Sequence, residues 1–531
     1  MIRATCRTLC RSLVVGLLLV ATSVAASAQQ RRPLADVPRV AAVTAPNGMV
    51  VAQESRAARI GAEILEKGGK AVDAAVAVGF ALAVTYPRAG NIGGGGFMLI
   101  HLAASNRQVA IDYRETAPAA TRIDSYLDAR GEADPRKSRE YGLAIGVPGT
   151  VAGLALAHRK YGSGRFRLAD LILPAFKLAR DGIAVDDDLA DSLPFAQPQF
   201  ARWPASARIF LRRDGSVLAP GDRLVQSDLA ATLEAIARRG PRAFYEGPIA
   251  QRIAASVRAA GGLMTPADLK NYRVLERTPV RGRYRGHDIV SMPPSSSGGV
   301  ILIEMLNMLE GDTLRAGIDP ERARPSRDIA LGNPAAFEGD NTTHYSIVDR
   351  FGNAVSNTYT LNLSYGVGLV AEGTGVLLNN ELDDFAVKPG APNAFGLIGL
   401  DSANAPGPGK RPLSSMTPTI VLKDGKPLLV TGSPGGSRII STVLQVVLNV
   451  IDFGMPVADA VGAPRLHHQW LPDEVGVERG VPAAAVQALE ARGHRVTVRP
   501  PGTSAHTILV TPNGRIGAAD TRTRGALAIG H

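Results

Sequence analysis

The residues best suited to catalysis lie in the run Asp340-Asn341-Thr342-Thr343-His344-Tyr345-Ser346, between a polar linker and a predicted β-hairpin. A threonine hydroxyl is a weak nucleophile unless a base lies beside it. Cleavage of the chain before Thr342 would free an α-amine, whose reference pKa of about 7.7–8.0 suits that role. By composition alone the run is also an ordinary polar entry to a strand, so both interpretations stand at this point.

Three glycine-rich segments are further candidates for a functional site: Gly90–Gly96, Ser295–Gly299 and Gly432–Ser437. The third follows a predicted strand and leads into an apolar helix that begins near Ile439. Unpaired N–H groups and the helix dipole at such a turn can hold an oxyanion or a phosphate, and glycine allows a close approach. A tight connection that simply requires glycine explains this segment equally well.

Several other classes of chemistry lack their motifs. The sequence contains no G-x-x-x-x-G-K-[ST] phosphate loop, no G-x-S-x-G elbow and no H-E-x-x-H zinc helix. We interpret the adjacent pair His467-His468 as structural, because no carboxylate or third histidine lies at ligand spacing. The formal net charge is +11, yet no basic run with interleaved aromatic residues suggests nucleic acid. We therefore predict no metal, no cofactor and no nucleic-acid partner.

The first 28 residues are typical of a secretory signal peptide. Three arginines precede the apolar stretch Leu13–Val20, and Ala26-Ser27-Ala28 supplies small residues for cleavage. The apolar stretch is too short to span a bilayer as a helix. The sequence thus predicts a mature chain that begins near Gln29, is periplasmic or secreted, and has no membrane anchor.

Both cysteines of the sequence, Cys6 and Cys10, lie inside this predicted signal. The mature chain would then contain no disulfide, no cysteine nucleophile and no thiolate metal site. Its stability must come from its hydrophobic core, for which its length is ample.

Hairpin and helix patterns alternate along the chain and predict an α+β fold. A linker is predicted at Asp312–Pro334, and Gly142–Gly262 is mainly helical in pattern. Helices are also predicted at Arg56–Thr85, with a break at Gly68-Gly69, and at Ile439–Phe453. The predicted hairpins are Arg39–Ser55, Phe97–Asp112, His344–Leu363, Thr419–Thr431 and His506–Ala519. Two stacked sheets between helical layers, a four-layer αββα sandwich, fit this order, although spacing alone does not select it.

The run Asn341–Ser346 resembles the processing site of γ-glutamyltransferases (γ-glutamyltranspeptidases), which are N-terminal-nucleophile hydrolases with the αββα fold. Further segments resemble signatures of this family in the family's order, and together they span nearly the whole mature chain. These segments are Gly90–Met98, Asp112–Glu115, Asn379–Phe385, Arg411–Met416 and Thr431–Arg438.

The resemblance implies an enzyme that cleaves itself between Asn341 and Thr342. The products would be a large subunit, residues 29–341, and a small subunit, residues 342–531, in one intertwined unit. Thr342 is then the nucleophile toward glutathione and other γ-glutamyl amides, with release to water or to an amino-acid or dipeptide acceptor. Thr360 is implied to assist Thr342, and Gly435 with Gly436 to form the oxyanion hole.

The resemblance also implies how the substrate's amino-acid end is bound. Its α-carboxylate would be held by Arg114, Ser414 and Ser415, and its ammonium group by Asn362, Glu381 and Asp384. The segment Pro389–Leu400 resembles a lid loop, in which Phe395 stands where an aromatic residue with a polar group is common. Thr343 is a further candidate for holding the nucleophile.

One departure from the family keeps alternatives open. Between Asp319 and the preceding helix, which ends near Leu309, family members carry several dozen more residues than this chain. An uncleaved, inactive binding protein is the alternative outside the enzyme class. A β-lactam (glutaryl) acylase and a poly-γ-glutamate-processing relative are the alternatives within it. Arg114 with Ser414-Ser415 favours a substrate with a free α-carboxylate, and hence the γ-glutamyl reading.

Overall fold

Two seven-stranded antiparallel sheets frame the protein in its computed structural model, which describes residues 37–311, 318–326, 342–399 and 403–531. The predicted signal peptide, the mature start at Gln29, Asn341 and Leu400 lie outside these residues. The first sheet contains, in spatial order, Leu527–Gly530, Met49–Ala52, Thr342–Val348, Ala354–Thr360, Gly95–Leu102, Arg107–Asp112 and Leu275–Arg277. The second contains Ala42–Ala45, Gly514–Ala519, His506–Thr511, Lys426–Thr431, Thr419–Lys423, His287–Ser291 and Val280–Tyr284.

Helices cover both sheets. Within the described residues they are Ser55–Glu66, Ala71–Thr85, Pro135–Arg139, Thr150–Tyr161, Leu168–Asp181, Asp187–Ala201, Pro204–Phe210, Ser227–Arg239, Arg242–Tyr245, Pro248–Ala259, Pro266–Asn271, Gly298–Glu310, Ile439–Ile451, Val457–Gly462 and Ala483–Ala491. Short strand groups lie outside the two large sheets: Ile183–Ala184 with Arg223–Leu224, Val370–Ala371 with Val376–Leu377, and Leu466–His467 with Val475–Glu478 and Val496–Arg499. None of the helices in the described ranges has the length and apolar character needed to cross a membrane.

The helix Ala71–Thr85 is the centre of the core on one side of the first sheet. Every one of its residues is buried, as the mostly apolar pattern predicts. Tyr345 donates a hydrogen bond to the carbonyl of Ala75 at 2.8 Å, and Tyr359 donates to that of Gly79 at 3.0 Å. The two strands that carry these tyrosines are thereby fixed against the helix.

The opposite face of the first sheet packs against the second sheet. Side chains such as Val51 and Leu99 of the first sheet share a buried cluster with Ile420 and Leu429 of the second. The helices Gly298–Glu310 and Ile439–Ile451 contribute to the same cluster. The strand Thr342–Val348 is consequently buried along its whole length.

Most of the predicted elements are confirmed. The break at Gly68-Gly69 separates two helices, and the hairpins at 97–112, 344–363, 419–431 and 506–519 all form. The helix predicted at Ile439 ends at Ile451, two residues before the predicted end. The mixed α+β class is confirmed as well.

The hairpin predicted at Arg39–Ser55 is wrong. Its two strands exist, but Ala42–Ala45 pairs with Gly514–Ala519 in the second sheet, whereas Met49–Ala52 lies in the first sheet. The turn between them meets the chain's last residue, because Asn47 N–H donates to the carbonyl of His531 at 2.8 Å. The segment therefore crosses from one sheet to the other, since each strand finds a different partner.

Truncation of Leu82, which is fully buried in the core helix, should lower the free energy of unfolding of the protein by about 2–5 kcal/mol in Leu82→Ala. The matched control is Leu173→Ala on the helix Leu168–Asp181, where the side chain is 45% exposed. Its effect should stay within about 0.5 kcal/mol. Urea unfolding of both variants tests this, and equal losses would contradict the assignment of the core.

Candidate active site

Thr342 is the first residue of its strand and lies opposite Thr360, the last residue of the neighbouring strand. The Thr342 hydroxyl donates to Oγ1 of Thr360 at 3.5 Å, and Thr360 Oγ1 accepts the N–H of Asn362 at 2.9 Å. Asn362 adopts a left-handed backbone with φ of 75°, which asparagine tolerates better than most residues. The strand register therefore brings two of the predicted catalytic residues together and directs the chain toward Asn362, a predicted binding residue.

A cavity of about 450 Å³ opens in front of Thr342. Except for Gly435, it is lined by all the predicted catalytic and binding residues that the structure describes: Thr342, Thr360, Gly436, Arg114, Asn362, Glu381, Asp384, Ser414 and Ser415. Five of its other lining residues, Asn393, Phe395, Leu397, Ile398 and Gly399, belong to the predicted lid segment. Residues widely separated in the sequence thus share one site.

The two glycines predicted as the oxyanion hole adopt conformations that require glycine. The φ angles are 127° at Gly435 and 55° at Gly436, and a Cβ atom at Gly436 would lie 2.4 Å from the ring of Phe395. Among the described residues, no acceptor is hydrogen-bonded to either N–H group. A short 3₁₀ turn, Gly436–Arg438, then leads into the helix Ile439–Ile451. The arrangement suits the binding of negative charge at a helix N-terminus.

The predicted carboxylate and ammonium sites contact each other directly. The fully buried guanidinium of Arg114 forms ion pairs with Glu381 and with Asp384, the latter at 2.5 Å. It also donates to the backbone carbonyls of Pro412 at 3.3 Å and Leu413 at 2.7 Å. In this structure the guanidinium group of Arg114 is therefore paired with the two carboxylates that are predicted to bind the substrate's ammonium group. A substrate with both charges would exchange partners with this ion pair.

Burial governs the protonation of this cluster. It raises the pKa of Asp384 to about 7, with Arg114 opposing the shift and Glu381 adding to it. Burial also raises the pKa of Glu381, again opposed by Arg114 and reinforced by Glu115. Although burial alone lowers the pKa of Arg114, the charges of Glu381 and Asp384 raise it, so the arginine stays charged.

Glu115 is a residue of this cluster to which the sequence analysis assigned no role. It is fully buried, and burial raises the pKa of its carboxyl to about 7. Neither of its oxygens has a hydrogen-bond partner in the described residues, and the same holds for Oε2 of Glu381. The two carboxyl groups influence each other's pKa, and a proton shared between them would give each a partner. The place of Glu115 in the segment Asp112–Glu115, which resembles a family signature, was the available signal.

His344 does not act as a base for Thr342. Its Nδ1 atom lies 2.8 Å from Thr358 Oγ1 and its Nε2 atom 3.1 Å from Ser346 Oγ, so both ring nitrogens are engaged. Burial lowers its pKa well below the usual range and keeps the ring neutral. The Thr343 hydroxyl has no hydrogen-bond partner in the described residues, so it gives Thr342 no support of that kind.

The adjacent histidines have hydrogen-bonding roles. His467 contacts Ser441 Oγ at 2.8 Å and Gln469 Oε1 at 3.1 Å, and His468 faces Asp473 at 3.5 Å. Within the described part of the chain, no three His, Cys, Asp or Glu side chains are grouped so that they could hold a metal ion. The structural interpretation of the histidine pair fits these contacts.

Comparisons with known proteins agree with the geometry. The family model described as Gamma-glutamyltranspeptidase matches residues 57–316 and 311–530, and its two parts meet where the sequence predicts a shortened segment. The chain is 47% identical to the glutathione hydrolase proenzyme of Escherichia coli (strain K12), over 92% of this chain and 93% of that protein. It is 43% identical to the glutathione hydrolase proenzyme of Pseudomonas sp. (strain A14), over 92% and 95% of the two chains. Among solved structures it is similar to the cephalosporin acylase from Bacillus halodurans, with a TM-score of 0.77, 25% identity, and coverage of 95% and 99%.

Substitution of Gly436 tests whether its N–H group takes part in the reaction. In Gly436→Ala the new Cβ atom would meet Phe395 and turn the amide away, so kcat for an acyl nitroanilide should fall about 10²–10³-fold. The matched control is Gly454→Ala beyond the other end of the same helix, where φ is 58° and no atom lies within 4 Å of the new Cβ. Similar losses of kcat in both variants would show that backbone strain, and not loss of an N–H donor, is responsible.

Proposed function

Because the chain belongs to the gamma-glutamyltranspeptidase family, we propose that it is an autoprocessed γ-glutamyltransferase and glutathione hydrolase. The observation that carries this proposal is the cavity in which Thr342 meets Arg114, Glu381, Asp384 and Gly436. A nucleophile, an anion-binding turn and a site for a zwitterion are the parts that hydrolysis of a γ-glutamyl amide requires.

The fold belonging to this function is the four-layer αββα sandwich of N-terminal-nucleophile hydrolases. The contact between the two seven-stranded sheets, together with the helices on their outer faces, supports this arrangement. Residues 1–28 are proposed as a signal peptide, residues 29–341 as the large subunit and residues 342–531 as the small subunit. We expect the mature protein in the periplasm or outside the cell.

Maturation begins with the Thr342 hydroxyl. Its Oγ1 attacks the carbonyl carbon of Asn341, the peptide C–N bond breaks, and the Asn341 acyl group passes from nitrogen to oxygen. Water then hydrolyses this ester, which releases the Asn341 carboxylate and leaves Thr342 with a free α-amine. Thr360, 3.5 Å from the attacking oxygen, orients it.

In turnover, the free amine of Thr342 accepts the hydroxyl proton while Oγ1 attacks the γ-carbonyl of the substrate. The oxyanion that forms is stabilised by the N–H groups of Gly435 and Gly436. The leaving amine takes the proton, and an ester of Thr342 remains. Water releases glutamate from it, or the amine of an amino-acid or dipeptide acceptor takes the acyl group. No cofactor takes part in any of these steps.

The α-carboxylate of the substrate binds Arg114, whose fork matches its two oxygens, with Ser414 and Ser415 beside it. The ammonium group binds Glu381 and Asp384 with Asn362. The ion pairs that Arg114 makes with Glu381 and Asp384 in this structure support the proposal, because the site already holds one positive and two negative partners at contact distance.

Cleavage before Thr342 is the first property to test. The purified wild-type protein should contain two chains that meet at Asn341/Thr342, and Thr342→Ala should remain a single chain, because it lacks the hydroxyl that starts the acyl shift. Thr343→Val, which removes the neighbouring hydroxyl, is the control and should cleave like the wild type. Intact-mass measurement decides. An uncut wild type would favour the alternative of an inactive binding protein with a shortened segment.

The likeness to a cephalosporin acylase makes a glutaryl acylase the second candidate. Glutaryl and γ-glutamyl groups share the terminal carboxylate, so Arg114 with Ser414-Ser415 does not separate the two candidates as the sequence suggested. They differ by the ammonium group, which the ionised Asp384 should recognise. Above pH 7 we expect kcat/KM for a γ-glutamyl anilide to exceed that for a glutaryl anilide by about 10-fold or more, the scale of one charge-assisted contact.

This preference should decline as the pH falls from 8 to 6, because Asp384, with a pKa raised to about 7, takes up a proton and loses its attraction for the ammonium group. Asp384→Asn should show a low preference at both pH values. Titration of the Thr342 amine changes kcat/KM for both substrates alike, so it cancels in the ratio of the two values. A preference for the glutaryl compound in the wild type at pH 8 would reject the γ-glutamyl assignment.

A further inference from the structure

The side chain of Gln469 connects two parts of the active site that are far apart in the sequence. Its amide nitrogen donates to the backbone carbonyl of Phe395 at 3.3 Å, and its amide oxygen accepts the hydroxyl of Ser437 at 2.7 Å. Phe395 belongs to the lid segment, and Ser437 follows the proposed oxyanion glycine Gly436. One side chain therefore bridges the lid and the anion-binding turn.

Neighbouring residues fix the orientation of this amide. The Gln469 oxygen also lies 3.1 Å from Nε2 of His467, whose Nδ1 is 2.8 Å from Ser441 Oγ. The Gln469 nitrogen has the carbonyl of Leu471 as a second acceptor at 3.3 Å. Two carbonyl acceptors on the nitrogen side and a hydroxyl donor on the oxygen side leave a single sensible amide orientation.

The lid is also attached on the substrate side. Asn393 donates to Oδ1 of Asp384 at 3.2 Å, and the N–H of Ala394 donates to Oδ2 of Asp383 at 2.7 Å. Asn393 Oδ1 accepts the N–H of Phe395 at 2.9 Å, which closes a tight turn. The segment 393–397 is thus fastened at Asn393 to the proposed ammonium site and at Phe395 to Gln469.

Phe395 is the wall between two cavities. It lines the catalytic cavity and also a second cavity formed with Arg438, His467, Gln469 and Arg499. Its side chain is 8% exposed, and its ring is so close to Gly436 that a Cβ atom there would overlap it. The position of this ring therefore determines how the catalytic cavity is covered.

We propose that Gln469 is a positioning residue that clamps the lid segment 393–397 to the turn Gly436–Arg438 and so holds Phe395 over the bound γ-glutamyl group. This inference rests on the proposed function for its kinetic consequence, but the clamp itself is a property of the uncut chain. Loss of the clamp should weaken retention of the donor substrate without altering Thr342 or the glycines.

The structural test is chymotrypsin digestion of uncut Thr342→Ala protein, with cleavage after Phe395 followed by mass spectrometry. Gln469→Leu should accelerate this cut about five- to tenfold, because two hydrogen bonds that close the lid are lost and the open state is more populated. Gln469→Glu, which keeps the size and the acceptor oxygen, should accelerate it as well, since an anionic oxygen would then face the Phe395 carbonyl. Cleavage after Phe453, which is 71% exposed, serves as an internal reference.

The kinetic test uses the cleaved enzyme and a γ-glutamyl anilide. Both Gln469 variants should raise KM about five- to tenfold and leave kcat within about twofold. The matched control is Gln445→Leu, because Gln445 makes three hydrogen bonds to Ser441 and Leu466 and none to the lid. It should leave both KM and the Phe395 cut as in the wild type.

Unchanged digestion and unchanged KM in both Gln469 variants would overturn the clamp. Wild-type behaviour of Gln469→Glu beside a faster cut in Gln469→Leu would also overturn it, since only the packing of the side chain would then matter. If Gln469→Leu does not fold, Ser437→Ala removes the turn side of the bridge and must show the same faster cut. A wild type with no γ-glutamyl turnover would refute the proposed function, while the digestion result would still decide the clamp.

Discussion

Complete burial of the strand that begins at Thr342 is the constraint on which the rest of the molecule depends. The strand has a helix on one face and the second sheet on the other, and a slip of one residue would exchange these faces. Tyr345 and Tyr359 fix the register further by their hydrogen bonds to the helix Ala71–Thr85. A nucleophile at the first position of such a strand is held by the core of the protein and not by a loop, which is the rigidity that a positioned nucleophile requires.

A second constraint is the cost of burying charge beside that nucleophile. Arg114 is held fully buried by Glu381 and Asp384, and the carboxyl groups near it have raised pKa values because burial disfavours their charged forms. A proton shared between Glu115 and Glu381 would reduce the net charge without removing Arg114's partners. The proposed γ-glutamyl substrate brings one charge of each sign, so an exchange of partners with this cluster would leave the number of buried unpaired charges unchanged.

The sequence predicted what depends on local patterns. Strand alternation around turn residues predicted four hairpins correctly, two of them with Asp424-Gly425 and Asn513-Gly514 as their turns. The family resemblance brought together site residues that line one cavity. The pattern failed at Pro46-Asn47-Gly48, because turn residues do not reveal that each flanking strand has a better partner near the C-terminus. Glu115 and Gln469 were missed for a related reason: their importance comes from contacts with residues far along the chain, to Glu381 in one case and Phe395 in the other.

The same long-range pairing explains how the two parts of a chain cut before Thr342 stay associated. The strand Thr342–Val348 pairs on one side with Met49–Ala52, and its hairpin partner Ala354–Thr360 pairs with Gly95–Leu102. In the second sheet Ala42–Ala45 pairs with Gly514–Ala519. Both sheets therefore contain strands from before and after the proposed cut, hydrogen-bonded to each other, and Arg114 from the first part is paired with acids from the second. Neither part buries its own core or completes its own site, so cleavage changes the chemistry of Thr342 from an amide to an amine while the sheets hold its position.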